Sequence, residues 1–275
     1  MAAAPADVPA RGDPADPVRL VLLPAKIGTA VNASPFSTKL LAFVRISGVE
    51  HELVKADITS NSNPRKLWPY MLHGPNVVPD SSAIASYLAA TYPETAGRMF
   101  PSDPKSLGLA HAAARMMDEA TFPILLWYRF MEPANRVHME NSYFGRMPWL
   151  VRRMVMRRVV PRTEQRLYLQ GVGRLSEPDL LKQLKADFAA LSSLLGAGPY
   201  LLGASPCFAD ATLFGFLDTA IHDAAPNPCV KDAVLAHPNL VEFARRVRAE
   251  YFSDFPPGGG FPGVAAAAAG AAAAE

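Results

Sequence analysis

Between Val18 and Pro93 short apolar runs alternate with helical periodicities, and that alternation restricts the chain more than any other feature of it. VRLVLL is followed by STKLLAFVRISG, then ELVKAD, then PYML and NVV, then SSAIASYLAATYP. The short runs read as strands. Phe36, Leu40 and Val44, four residues apart, share one face of a helix that Gly48 closes in a left-handed conformation. Ile84 and Leu88 mark a second helix in the same way. The order is β-α-β…β-β-α.

Beyond the proline-rich connector PETAGRMFPSDP the strand signals stop. Helical periodicity takes over, most clearly in Leu181, Leu184, Phe188, Leu191 and Leu195, closed by Gly196. Ser176, with Pro178 and Asp179 behind it, reads as the cap of that helix. Pro123 kinks or divides an earlier one. With 275 residues, half of them hydrophobic, such a chain buries a sizeable core in one large or two modest domains.

Composition narrows the function. A net charge of +2 gives no concentrated basic surface, so nucleic acid is not an expected partner. Cys207 and Cys229 stand far apart without a C-x-x-C spacing, which suggests neither a disulfide framework nor a thiolate metal site and fits a reducing, cytoplasmic setting. The six histidines show no H-x-x-x-H or H-E-x-x-H spacing, so no metal is expected. Residues 1–16, rich in Ala and Pro, read as a disordered lead-in, and 256–275 as a low-complexity disordered tail that is too weakly apolar to span a bilayer. Between Trp149 and Arg166 six arginines face only Glu164. Projected onto a helix they spread around it, which favours a solvated or internally paired helix over one that meets anionic lipid or an acidic partner.

Together with the strand and helix order, the segments SPFSTKLLAFVRISGVEHEL, PDSSAIASYL, YLQGVGR, PYLLGASPCFADATLFGFL and HPNLVEFARRVRAEYF resemble the glutathione S-transferase superfamily, and within it the failed axon connections and metaxin-like branch. The resemblance covers most of Val18 to Phe255. It implies a thioredoxin-like α/β N-terminal domain over 17–93, a linker over 94–105 and an all-α C-terminal domain over 106–255.

The resemblance also assigns roles. Ser34, with Pro35 behind it, caps a helix whose first amides are unpaired and positively polarised. In the family such a serine donates its hydroxyl hydrogen to glutathione's thiolate, while a plain helix cap uses the same atoms. Ser37 stands where relatives of this branch carry cysteine, which disfavours thiol-disulfide exchange and leaves Ser34 and Ser37 as the catalytic candidates. Pro69 falls where the family holds a cis proline, with Trp68 offering its backbone to glutathione. Asp80 and Ser81, at the start of a helix, match the pair that grips the γ-glutamyl group, with simple capping as the competing account. Asp210 should reach back to the amide of Cys207, a structural role. Lys66 and the loop KIGTAVNA depart from the family pattern.

Two functions follow. One is an enzyme that takes glutathione as co-substrate, without metal, and conjugates it to a small hydrophobic electrophile held by the helical half, with Met116, Met117, Trp127 and Tyr128 as wall residues. The other is a non-catalytic adaptor of the metaxin kind, in which Ser34 and Ser81 are caps only. Family members often pair, so a homodimer is included among the expectations.

Overall fold

A computed structural model of the chain describes residues 11–23, 27–56, 67–145 and 147–255. The tail 256–275, most of the lead-in, Lys66 and part of the loop before Ser34 lie outside the described residues. The rest of the lead-in is not detached: Gly12 N–H donates to Thr91 Oγ1 at 3.1 Å, and Asp16 O lies 3.1 Å from His73 Nε2. These backbone bonds, which alanine and proline counts do not register, tie it to the fold.

The first half forms β1 (Val18–Leu22), α1 (Pro35–Ser47), β2 (Glu52–Lys55), β3 (Tyr70–His73), β4 (Asn76–Pro79) and α2 (Ser81–Thr91). The sheet order is β2-β1-β3-β4, with β1 parallel to β2 and antiparallel to β3. As an inner strand β1 is buried almost throughout, with Leu20 and Leu22 at 0 % exposure. That is why it reads as a continuous apolar run instead of an alternating one. α1 starts at the Ser34 cap and stops at Gly48, whose φ of 73° spares a side chain the left-handed penalty.

The second half is helical: α3 (Pro104–Arg115), a π-helical turn (Met116–Thr121), α4 (Phe122–Phe130), α5 (Pro133–Phe144), α6 (Trp149–Gln170), α7 (Glu177–Leu195), α8 (Phe208–His222), α9 (Cys229–Leu235) and α10 (Pro238–Tyr251). Pro123 does divide a helix, and the π turn precedes it. α7 buries Leu180, Leu184 and Phe188, so Leu180 and not Leu181 opens its inner face. Four-residue steps back from Phe188 land on Leu180, while Leu181 lies about 100° away.

α8 is the central helix of this half and is buried along most of its length. Asp210 accepts the N–H groups of Leu201 at 2.7 Å and Cys207 at 2.8 Å, which fixes its start. Gly215 lets α8 lie directly on α1: a Cβ there would stand 2.6 Å from Pro35 O and 2.7 Å from Lys39 N. Sheet and helices thereby share one core, and α1 is buried over most of its length because it is covered on both sides.

Candidate glutathione site at the rim of the sheet

Strand register gathers the candidate residues. Val21 pairs with Tyr70 across β1 and β3, and Tyr70 pairs with Pro79 across β3 and β4. The C-terminal end of β1, the start of β3 and the end of β4 therefore lie side by side, about 4.8 Å per step. Trp68 and Pro69 precede this rim, their peptide bond is cis, and Asp80 and Ser81 leave it on the next strand.

Ser34 is half-buried, with extended backbone, and caps α1. Its carbonyl accepts the N–H groups of Ser37 and Thr38, both at 3.1 Å, and its Oγ takes only a long 3.4 Å bond from Ser37. Among the described residues the Ser34 O–H donates to nothing, so its hydrogen is available to a ligand. Ser37 differs. Its side chain is fully enclosed and its Oγ has no partner among the described residues. Enclosure removes it from any contact with a ligand, which corrects its pairing with Ser34 as a catalytic group.

Asp80 has φ 73°, a left-handed backbone that costs a non-glycine residue on the order of 1–3 kcal/mol. Its Oδ1 accepts Ser82 N–H at 2.8 Å and Ala83 N–H at 3.2 Å. Asp80 is thus the cap of α2 and occupies two of the amides that a ligand carboxylate would otherwise use. Ser81 is buried at 4 % exposure, and no described residue engages its hydroxyl.

Two participants were not legible in the sequence. Lys39, on the inner side of α1, donates to Ser82 Oγ at 3.0 Å and to Asp118 Oδ2 at 2.6 Å. Asp118 sits in the π turn, and its other oxygen is buried without a partner among the described residues. The indole N–H of Trp68 is likewise buried, with no partner among the described residues. The signal for Lys39 was a cation in the first half of a helix that is otherwise buried there.

The loop that delivers Ser34 is fastened to the helical half. Thr29 N–H donates to His222 O at 3.0 Å and Val31 N–H to Asp218 Oδ2 at 2.7 Å. Arg248 bonds both Asp218 and Thr29 O. Arg129 and Tyr143 donate to Ala33 O at 2.9 and 3.1 Å. Burial pushes the Asp218 carboxyl up to about 6 against the pull of Arg248, and pushes His222 down to about 4.

Arg129 also approaches Asp223 at 3.5 Å, at the edge of a cavity of about 40 Å³ that Ile27, Leu125, Tyr128, His138 and Val230 help to line. Of the four expected wall residues only Tyr128 lines this cavity, and Met117 is sealed in the core. The Tyr128 hydroxyl has no partner among the described residues, and burial raises it to about 12. Burial and Asp210 raise the Cys207 thiol, which keeps it protonated. Among the described residues no three His, Cys, Asp or Glu side chains gather as a metal site would need.

A family model described as the glutathione S-transferase N-terminal domain matches residues 35–135, and one described as the glutathione S-transferase C-terminal domain matches 184–247. The isoprene-epoxide–glutathione S-transferase of Rhodococcus sp. strain AD45 is 27 % identical over 236 residues, 79 % of this chain and 92 % of its own. Human metaxin-2 is 25 % identical over 130 residues, 47 % of this chain and 49 % of its own. Among solved structures, the beta-etherase LigF of Sphingobium sp. strain SYK-6 superposes with a TM-score of 0.60 at 20 % identity, over 85 % of this chain and 95 % of that one.

Proposed function

We propose that this chain, which matches the N- and C-terminal domain models of glutathione S-transferases over residues 35–135 and 184–247, binds glutathione at the rim of the sheet and conjugates the thiolate to a small electrophile. The observation that carries this is the Ser34 hydroxyl, which stands at the N-terminus of α1 with its hydrogen uncommitted. A thiol with a pKa of about 8.5 needs only a modest shift to ionise at neutral pH. The polarised first turn of α1 supplies part of it, and an O–H···S⁻ bond from Ser34 supplies more.

Each remaining group has a binding task. The backbone at Trp68 meets the cysteinyl part of the tripeptide, and the Ser81 hydroxyl takes the γ-glutamyl carboxylate. The thiol proton passes to solvent. The sulfur lone pair then forms a bond to the electrophilic carbon as the leaving group departs or, for an epoxide, as the ring C–O bond opens and the oxygen is protonated from solvent. The relative named for isoprene epoxide supports a small substrate.

A glutathione titration followed by tryptophan fluorescence and by calorimetry tests the reading. Saturable binding that Ser81→Ala weakens supports it, and no heat or fluorescence change in the parent protein removes it. A second reading, a transferase fold serving as a non-catalytic adaptor, draws support from the metaxin-2 similarity and from Asp80's hold on two amides of α2. It calls for a stoichiometric protein partner and no conjugating activity.

A further inference from the structure

α6 makes little use of its length. Over 22 residues only Met156 and Leu167 are buried. Trp149, Leu150, Val151 and Met154 are exposed at 66, 56, 47 and 63 %, and Tyr168 and Leu169 at 56 and 69 %. Arg152 pairs with Glu140 at 3.3 Å and Arg166 lies over the Phe122 ring. Arg153, Arg157, Arg158 and Arg162 are exposed and have no partner among the described residues. The expectation of a solvated or internally paired helix therefore holds, with pairing at the two ends of the arginine run and solvent exposure in the middle.

The arrangement of these groups carries the argument. At about 100° per residue, Leu150, Met154, Pro161 and Tyr168 fall within a strip about 40° wide on the outward face. Arg153 and Arg157 flank it on one side, and Arg158 and Arg162 on the other. Val155 and Met156 meanwhile face the protein, so α6 has two apolar faces, and a simple projection of its arginines looks patternless.

We propose that the outward face of α6 docks on an anionic phospholipid surface. The helix lies flat, its apolar strip enters the acyl boundary, and the flanking guanidinium groups extend along their stems to the headgroup phosphates. A second copy of the chain is a poor occupant, since a two-fold contact would set the same four arginines against one another with only Glu164 on that face to answer them. The helix does not cross the bilayer, since among the described residues no helix is long and apolar enough.

The test is co-sedimentation of the full chain with vesicles of phosphatidylcholine alone, or with about 30 % phosphatidylserine added. The expected result is at least about tenfold stronger partition to the anionic vesicles at low salt, lost at high salt. Replacing Arg153, Arg157, Arg158 and Arg162 by Gln should reduce it about tenfold or more. Leu150→Ser with Met154→Ser should reduce it several-fold at low salt, where charge alone would hold the protein. Absent or equal binding to the two vesicles, or full binding by the Leu150/Met154 variant, overturns the proposal. So does a self-association or acidic-protein contact that the arginine variant abolishes while vesicle binding is nil.

Discussion

Lys39 Nζ and Asp118 Oδ2 stand 2.6 Å apart with both side chains withdrawn from solvent, joining α1 to the π turn of the helical half. The same ammonium holds Ser82, next to the residue assigned to the γ-glutamyl group. One buried ion pair thus fixes the spacing between two sides of the candidate site.

Removing one partner leaves the other buried and uncompensated. Lys39→Met is expected to cost about 3–5 kcal/mol in urea unfolding, and Lys39→Met with Asp118→Leu to recover much of it. If the pair also sets the position of α2, glutathione KM rises in the double variant more than kcat falls.

Ser34 and Ser37 should separate cleanly. Ser34→Ala removes a charge-assisted bond worth roughly 1.5–3 kcal/mol, so kcat/KM should drop about 10- to 100-fold, and the ultraviolet thiolate band of bound glutathione should titrate at higher pH. Ser37→Ala removes a buried hydroxyl that has no partner. It should leave turnover unchanged and raise stability by up to about 1 kcal/mol.

Gly215→Ala drives a methyl group into the backbone of α1 near Pro35 and Lys39. A cost of about 1–3 kcal/mol is expected. Because the displaced segment begins at Ser34, calorimetric glutathione affinity should fall along with the melting temperature.

His222 predicts a pH effect. Its folded pKa of about 4 lies below the ordinary 6.5, so between those values the unfolded chain binds more protons and acid favours unfolding. With a discount for partial exposure, its contribution at neutral pH should shrink by about 1–2 kcal/mol as the pH falls from 6.5 to 4. Asp218, raised to about 6, titrates in the same interval with the opposite sign. His222 Nε2 lies 3.8 Å from Asp218 Oδ1, so comparison of parent with His222→Asn at each pH reads the histidine together with its coupling to Asp218.

What the sequence made legible was local. The caps at Ser34 and Ser176, the stop at Gly48 and the strands around Tyr70 and Val78 are written in neighbouring residues, and the structure has them in place. What escaped depended on distant partners. Lys39 has no meaning until Asp118 arrives from 79 residues away, and the enclosure of Ser37 follows from other elements covering α1 on more than one side. The role of Asp80 was half legible: an acid before a helix signals a cap, but its left-handed backbone and double bond to the first turn do not follow from residue type.

The grip of α8 on the loop before Ser34, through Asp218 and the His222 carbonyl, carries a cost for divergence. A substitution that reshapes the helical half to admit a new substrate also tugs on the segment that aims the serine. Changes of substrate preference and changes of thiol acidity should therefore tend to be inherited together, and variants that alter one while sparing the other should be rare.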